Sequence, residues 1–289
     1  MKPLLIVLFA LALAVGLLFG WGWLERNIRR IAGRVARWRE RVIATPAVRK
    51  LRERYPLVRR FLAARFARGE YLGLHLTIGF GITLLGLVAF SIITHDVIRQ
   101  RSITQLDARL TDFLHSQGTL FGYGFWAVVT SLGAGLTLSI VGLGVGVLLA
   151  LRRRWIVLAG WAAALLGSGL LDGALKFAIR RPRPELAANF LSKLSWSFPS
   201  GHSMASLVTY GMLAYLVVLA LKGRQRLQIT VALSAIVLIL AIGFSRLYLG
   251  VHYFSDVIGG FTAGALWLSA CISGLEVVRR LKGRTPVEP

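Results

Sequence analysis

The chain has 289 residues, of which 56% are hydrophobic and only 16% are charged, and its mean hydropathy is +0.66. This composition excludes an ordinary soluble domain and indicates a membrane protein with several spans. The net charge of +23 argues for contact with anionic lipid headgroups rather than with nucleic acid, because the basic stretches lie between apolar runs long enough to cross a bilayer.

The N-terminal part is predicted to combine a membrane anchor with a basic surface segment. Residues 1–24 contain a long apolar run after Lys2 without a clear cleavage site, so we interpret them as an uncleaved anchor rather than a signal peptide. Residues 25–70 hold fifteen Lys or Arg against four Glu. Their apolar positions recur at helical spacing, which predicts amphipathic helices on an anionic leaflet, broken at Pro46 and Pro56. A solvated linker and a nucleic-acid-binding arm are the alternatives for this segment.

Six further apolar stretches predict an all-α, polytopic transmembrane bundle. These predicted spans lie at residues 71–94, 124–151, 155–176, 202–221, 227–246 and 254–275. Residues 71–275 are therefore the predicted core, and residues 276–289 form a basic tail. Between the first two spans, residues 96–117 place Ile103, Leu106, Leu110 and Phe113 at helical spacing, which predicts an interfacial helix.

The distribution of basic residues predicts the orientation of the bundle. The arginines at 152–154, the basic residues at 222–226 and the basic tail fall on one side together with residues 25–70. That side is predicted to be cytoplasmic. The loops at 95–123, 177–201 and 247–253 then share the opposite face. Arginines on that face contradict the rule that basic residues concentrate in cytoplasmic loops, which suggests that they have a function.

The first candidate stretch ends the span at 155–176 and reads KFAIRRPRP. Pro182 and Pro184 stop the helix, and Asp172, one turn before the first cation, is its predicted partner. An ordinary basic flank is the alternative, which the predicted outer location weakens. The stretch contributes four cations, at Lys176, Arg180, Arg181 and Arg183.

The second stretch, PSGH at residues 199–202, begins a span. A helix N-terminus presents free backbone N–H groups and a dipole that favour an anion. Gly201 permits close approach, Ser200 adds a hydroxyl, and His202 can deliver a proton. Taken alone, the tetrapeptide is equally typical of a plain turn.

The third stretch, SRLYLGVHYFSD at residues 245–256, joins the last two spans. His252 and Asp256 are four residues apart and so lie on one helical face. A carboxylate on one ring nitrogen fixes the tautomer and leaves the other nitrogen free as a base or nucleophile. Arg246 can bind an anion with its planar fork of donors. The alternative is a pair that merely caps a helix, with the arginine extended to lipid headgroups.

Together, the order and spacing of the three stretches resemble the three-part signature of the type-2 phosphatidic acid phosphatase superfamily, over about residues 71–275. The resemblance implies that His252 attacks phosphorus, Asp256 orients it, and His202 protonates the leaving oxygen. It also implies a phosphate site formed by Lys176, Arg183, Ser200, Gly201 and Arg246. Arg180 and Arg181 are additional to the signature and are predicted to contact a second phosphate or lipid headgroups.

The resemblance implies a multi-pass phosphatase of the bacterial inner membrane, with its site facing the periplasm or the outside and a lipid phosphate as substrate. Undecaprenyl diphosphate is the first expectation; phosphatidic acid, phosphatidylglycerol phosphate and lipid A phosphates are alternatives. Three cations can stabilise the transferring phosphoryl group, and no clustered carboxylates accompany them on that face, so we predict no cofactor and no metal. A lipid phosphotransferase, or a scaffold or transporter without enzymatic activity, are the rival hypotheses.

Overall fold

The structure is a computed structural model that describes residues 71–116, 118–184 and 196–282, together with separate residues between 30 and 54. The chain divides into two compact units, Met1–His75 and Leu76–Pro289. The described residues form helices and no strand: α1 (Tyr71–Ile98), α2 (Ser102–Ser116), α3 (Leu120–Ser131), α4 (Gly135–Leu151), α5 (Trp155–Ile179), α6 (Gly201–Ala220), α7 (Gln225–Tyr248) and α8 (Phe254–Lys282).

Five stretches of the described residues are long and apolar enough to cross a membrane. They are Leu120–Leu151, which comprises α3 and α4, and then α5, α6, α7 and most of α8. The predicted all-α transmembrane bundle is thereby confirmed. Among the described residues of α1, the apolar stretch is Thr83–Ile98, which is shorter than any of the five stretches above. The predicted anchor at 1–24 and nearly all of the basic segment at 25–70 lie outside the described residues.

The bundle core lies where α5, α6 and α8 meet. Trp161, Ala164, Val208, Met212 and Leu275 form its buried cluster. Indole N–H groups tie neighbouring helices together: Trp161 donates to the carbonyl of Gly142 at 2.9 Å, and Trp267 on α8 donates to a carbonyl of α5 at 2.9 Å. Such bonds matter in a bilayer, because no water is available there to satisfy a polar group.

The outward faces of these helices are apolar. Leu136, Leu143, Leu166 and Leu170 are each at least 70% exposed. In water, a surface of this kind would favour aggregation, whereas in hydrocarbon it matches the surrounding lipid.

The predicted span at 124–151 is in fact two helices separated by a turn at residues 132–134. The N–H groups of Gly133 and Ala134 bond to carbonyls three residues earlier, and the hydroxyl of Thr137 donates to the carbonyl of Ser131 at 2.7 Å. The turn lets α3 pack against the C-terminal end of α7, where Trp126 contacts Phe244 with ring centroids 4.9 Å apart. The break could not be seen in the hydropathy, because the turn residues are themselves apolar.

Two other predicted boundaries shift. The helix predicted at 96–117 begins at Ser102, and residues 96–98 belong to α1. Its inward face carries Asp107, whereas Leu106 and Phe113 are exposed. At the other end of the chain, α8 continues past the predicted end at 275 to Lys282, because Glu276 and Arg279 pair one turn apart at 3.0 Å and so remain compatible with the helix.

Candidate active site

The ends of α5, α6, α7 and α8 meet at one end of the bundle and bring the three sequence stretches together. α5 ends at Ile179, and the left-handed conformation (φ 50°) of the C-cap residue Arg180 turns the chain. Arg181 and Pro182 are held by Ser197, whose N–H donates to the carbonyl of Arg181 and whose hydroxyl donates to that of Pro182, both at 2.9 Å. The N–H of Ser200 donates to the carbonyl of Asp256 at 2.9 Å, which joins the start of α6 to the start of α8.

His252 and Asp256 form the buried centre of this site. The Nδ1 atom of His252 lies 3.4 Å from Oδ2 of Asp256, so the predicted pair forms. His252 lies in the turn before α8, which begins at Phe254, and not on the helical face shared with Asp256 that the spacing predicts. The same carboxylate oxygen accepts the N–H of Tyr253 at 2.9 Å. Burial lowers the pKa of His252 to about 4, with the charges of Arg246 and Arg183 acting in the same direction and Asp256 opposing them. At neutral pH the ring is therefore uncharged, and one of its nitrogens carries a free lone pair.

Arg183 places a cation beside the second ring nitrogen. Its Nη1 atom lies 3.2 Å from Nε2 of His252 and donates to the carbonyl of Val251 at 3.0 Å. Burial lowers the pKa of Arg183, against the raising effect of nearby carboxylates, but a guanidinium remains protonated under such conditions. An anion approaching Nε2 would therefore meet this guanidinium first.

Lys176 and Arg246, two further cations of the predicted phosphate site, are each held by a neighbouring polar side chain. Lys176 pairs with Asp172 at 2.7 Å, as predicted. The Nη1 atom of Arg246 donates to the hydroxyl of Thr130 at 2.8 Å. Its Nε atom is buried without a hydrogen-bond partner in the described part of the chain. A buried donor left unpaired is costly, and an anionic ligand would satisfy it.

The PSGH stretch forms the start of α6. Ser200 is the N-cap residue, and its buried hydroxyl accepts from the N–H of Ser203 at 3.4 Å and from the hydroxyl of Ser203 at 3.0 Å. A Cβ atom at Gly201 would lie 2.8 Å from Nζ of Lys176 and 2.9 Å from Oδ2 of Asp172, so a side chain at this position would displace the Lys176–Asp172 pair. His202 follows, half-buried and within electrostatic reach of Lys176, Arg183, Arg246 and His252. The structure thus brings all eight predicted site residues to one place.

Sequence reasoning missed the residues behind the His252–Asp256 pair. Arg181, which was predicted together with Arg180 to contact a second phosphate or lipid headgroups, instead donates to Asp256 at 2.6 Å and to Asp107 at 2.8 Å. Asp107 also accepts the N–H of Ser255 at 2.8 Å. Arg180 is exposed and lies over the ring of Phe177, 4.4 Å from its centroid. The signal in the sequence that pointed to Asp107 was its spacing, because it lies four residues after Ile103 and three before Leu110, on the apolar face predicted for this helix.

Among the described residues, no three His, Cys, Asp or Glu side chains are grouped so that they could hold a metal ion. The polar end of the bundle is instead dominated by Lys176, Arg181, Arg183 and Arg246, against the carboxylates of Asp107, Asp172 and Asp256. The arrangement is suited to an anion that approaches a neutral imidazole.

The fold and the site define a multi-pass α-helical membrane protein with imidazole and cationic side chains gathered at one end of its bundle. Residues 154–279 match the family model of the PAP2 superfamily, and this range includes all eight predicted site residues. Residues 154–279 therefore carry a PAP2 superfamily domain, which confirms the family resemblance noted in the sequence over this range.

Two further comparisons, one of sequence and one of structure, agree with this assignment. The chain is 42% identical to phosphatidylglycerophosphatase B of strain 168 over 97 residues, which are 34% of this chain and 47% of that protein. The matched part is thus about half the length of this curated relative. The chain is also similar to the crystal structure of the first transmembrane PAP2 type phosphatidylglycerolphosphate phosphatase from Bacillus subtilis. That match has a TM-score of 0.60 and 28% identity, and covers 68% of this chain and 98% of the other.

Proposed function

We propose that this chain is an integral membrane lipid phosphatase that works through a phosphohistidine on His252. The observation that carries the proposal is the environment of its imidazole. Nδ1 faces the carboxylate of Asp256 at 3.4 Å, and Nε2 faces the guanidinium of Arg183 at 3.2 Å. The first contact favours the tautomer with its proton on Nδ1, and the second marks where a phosphate oxygen would arrive.

In the first step, the lone pair of Nε2 attacks phosphorus and a P–N bond forms. The P–O bond to the lipid breaks, and its electron pair stays on the leaving oxygen, which takes a proton from the imidazolium form of His202. The negative charge of the bound phosphate stabilises this form of His202 before the transfer. Arg183 exchanges its contact with Nε2 for a phosphate oxygen, and Lys176 and Arg246 stabilise the remaining charge. Phosphoryl transfer depends mainly on such positioning and charge stabilisation.

In the second step, His202, now neutral, takes a proton from a water molecule whose oxygen attacks phosphorus. The P–N bond breaks and its electron pair returns to Nε2, which releases inorganic phosphate and restores the enzyme. If a lipid hydroxyl takes the place of water, the same intermediate gives a phosphotransferase. The two reactions differ in whether phosphate is released when no acceptor is added.

The substrate we propose first is phosphatidylglycerol phosphate, because the curated match and the matching crystal structure from Bacillus subtilis are both named for its hydrolysis. Undecaprenyl diphosphate, the first expectation from the sequence, remains a prediction. The decisive experiment is phosphate release by the purified full chain in detergent, with these two lipids and phosphatidic acid offered separately. Release from none of the three would reject the proposed function.

Activity is expected to survive EDTA, because Lys176, Arg183 and Arg246 already supply three positive charges around the phosphate site. Phosphate release from the best substrate should be measured with and without the chelator, at one fixed ionic strength so that screening is constant. Loss of activity with EDTA, and its recovery on addition of Mg²⁺ or Zn²⁺, would show that a metal site is required.

The site is expected to face away from the cytoplasm, because the basic loops at 152–154 and 222–226 lie at the opposite ends of the helices from Lys176. In a Cys271→Ala background, a cysteine at the exposed position Ala108 should react with an impermeant maleimide on intact cells. A cysteine at Arg224, which is also exposed, should react only after the cells have been lysed. The reverse pattern would place the site in the cytoplasm.

A further inference from the structure

A buried chain of charges lies behind the proposed nucleophile, on the side away from the phosphate cations. It begins at Asp107 on α2, which is 1% exposed. The Asp107 carboxylate accepts the N–H of Ser255 at 2.8 Å, accepts the hydroxyl of the same serine, and pairs with Nη2 of Arg181 at 2.8 Å. A helix that the sequence predicts to lie on the membrane surface is thereby tied to the start of α8.

Arg181 connects this carboxylate to the one that faces His252. Its Nη1 atom donates to Oδ1 of Asp256 at 2.6 Å and to the hydroxyl of Ser255 at 2.7 Å. The guanidinium also lies over the ring of Tyr253, 4.3 Å from its centroid. The planar fork of an arginine can bridge two carboxylates in this way, whereas a lysine ammonium cannot.

The charges of this cluster do not cancel. Asp107 and Asp256 contribute two negative charges and Arg181 one positive charge, so the cluster is negative by one while His252 is neutral. It becomes neutral when His252 carries a positive charge, as it does when Nε2 is phosphorylated and Nδ1 keeps its proton. Without Asp107, Arg181 would neutralise Asp256 and leave nothing to balance the charged ring.

We propose that Asp107 and Arg181 are positioning residues that fix the Asp256 carboxylate and keep its negative charge available to His252. Asp107 offsets the guanidinium, and the guanidinium in turn holds Oδ1 of Asp256 so that Oδ2 faces Nδ1 of His252. Neither residue belongs to the predicted phosphate set. Their role in catalysis rests on the proposed function. Their effect on the protonation of His252 does not depend on it.

Every charged group that faces His252 affects the pH at which its ring is protonated. Asp256 faces it from α8, Arg183 from the loop after α5, Arg246 from α7, and His202 from the start of α6, with Lys176 nearby on α5. None of these changes in the variants that follow. Any change in the titration of His252 therefore comes from the cluster behind Asp256.

The test is an NMR titration of the full chain in detergent with labelled histidines. The chain has five histidines, and the His252 signal is the one lost in His252→Gln. Arg181→Met leaves two carboxylates uncompensated and should raise the pKa of His252, by about 1. Asp107→Asn should lower it, and the double variant, which keeps the net charge at minus one, should restore the wild-type value.

Two controls are matched to these variants. Arg180→Met removes the neighbouring, exposed arginine, and Asp112→Asn removes an exposed carboxylate from the same helix; neither should move the His252 titration. Arg181→Lys keeps the charge but loses the bridge, so it should leave the pKa near that of the wild type. In kinetics, it should still lower kcat by about 10-fold with little change in KM, because the bridge does not touch the phosphate.

The proposal fails if Arg181→Met leaves the His252 titration unchanged, if the controls move it equally, or if the double variant does not restore it. Should Arg181→Met not fold, Asp107→Asn still decides by the direction of its shift, since asparagine has nearly the same shape. A wild-type chain that releases no phosphate rejects the proposed function alone, because the NMR result does not depend on turnover.

Discussion

His252→Ala is expected to lower phosphate release from the best lipid substrate by about 10⁴-fold or more, since the substitution removes the proposed nucleophile. The remaining cations can still bind the phosphate, so substrate binding should persist while turnover stops. The measurement is phosphate release under single-turnover conditions, together with binding of the lipid to the inactive variant. Denatured wild-type protein should also retain acid-labile label from a lipid labelled in its phosphate, and the variant should not.

The control is His95→Ala, because the side chain of His95 is 52% exposed and lies on α1, outside the candidate site. This variant should keep wild-type turnover, which excludes a general effect of removing a histidine. Both proteins should elute as the wild type does on gel filtration. If His252→Ala retains a tenth or more of the wild-type activity, His252 is not the nucleophile and the phosphohistidine mechanism is wrong.

Contacts between residues of one helix could be predicted from the sequence. The pair Lys176–Asp172 is four residues apart within α5 and is found in the structure; helix geometry alone brings these two together. The pair His252–Asp256 has the same spacing and is also found, but His252 lies in the turn before α8, which begins at Phe254, so the shape of that turn and not a shared helical face brings them together. The meeting of the three stretches was implied by the family resemblance rather than by any periodicity.

Contacts between distant segments could not be predicted in the same way. Asp107 meets Ser255 across 148 positions of the sequence, and Arg246 meets Thr130 across 116. Neither pair has a local spacing that reveals it. Arg181 illustrates the consequence, because the sequence shows two adjacent, equivalent arginines, while the left-handed turn at Arg180 leaves one of them exposed and directs the other into the site.

Hydropathy predicted which segments are apolar but not where the backbone turns. It joined α3 and α4 into one span, although the turn at 132–134 separates them. That turn matters for the site, since it allows α3 to present Thr130 to Arg246 at 2.8 Å. Hydropathy also ended the last span at 275, because Glu276 and Arg279 are charged, whereas their mutual pairing allows α8 to continue.

Asp256→Asn is expected to lower kcat by about 10³- to 10⁴-fold, because an amide cannot replace both carboxylate oxygens. Oδ1 accepts from Arg181 at 2.6 Å, and Oδ2 accepts from Tyr253 at 2.9 Å while facing Nδ1 of His252. If the new NH₂ group takes the first position, it opposes the guanidinium. If it takes the second, it becomes a donor to His252 and favours the tautomer with its proton on Nε2, which has no lone pair for attack.

This loss should appear in kcat rather than in KM, because Asp256 faces the ring of His252 and not the phosphate cations. Phosphate release over a range of lipid concentrations separates the two constants. Asp112→Asn is the matched control, since the same substitution at an exposed position of α2 should leave both unchanged. A variant with wild-type kcat would mean that His252 needs no oriented partner. A large rise in KM at unchanged kcat would instead place Asp256 in substrate binding, through its hold on Arg181 and the loop that carries Arg183.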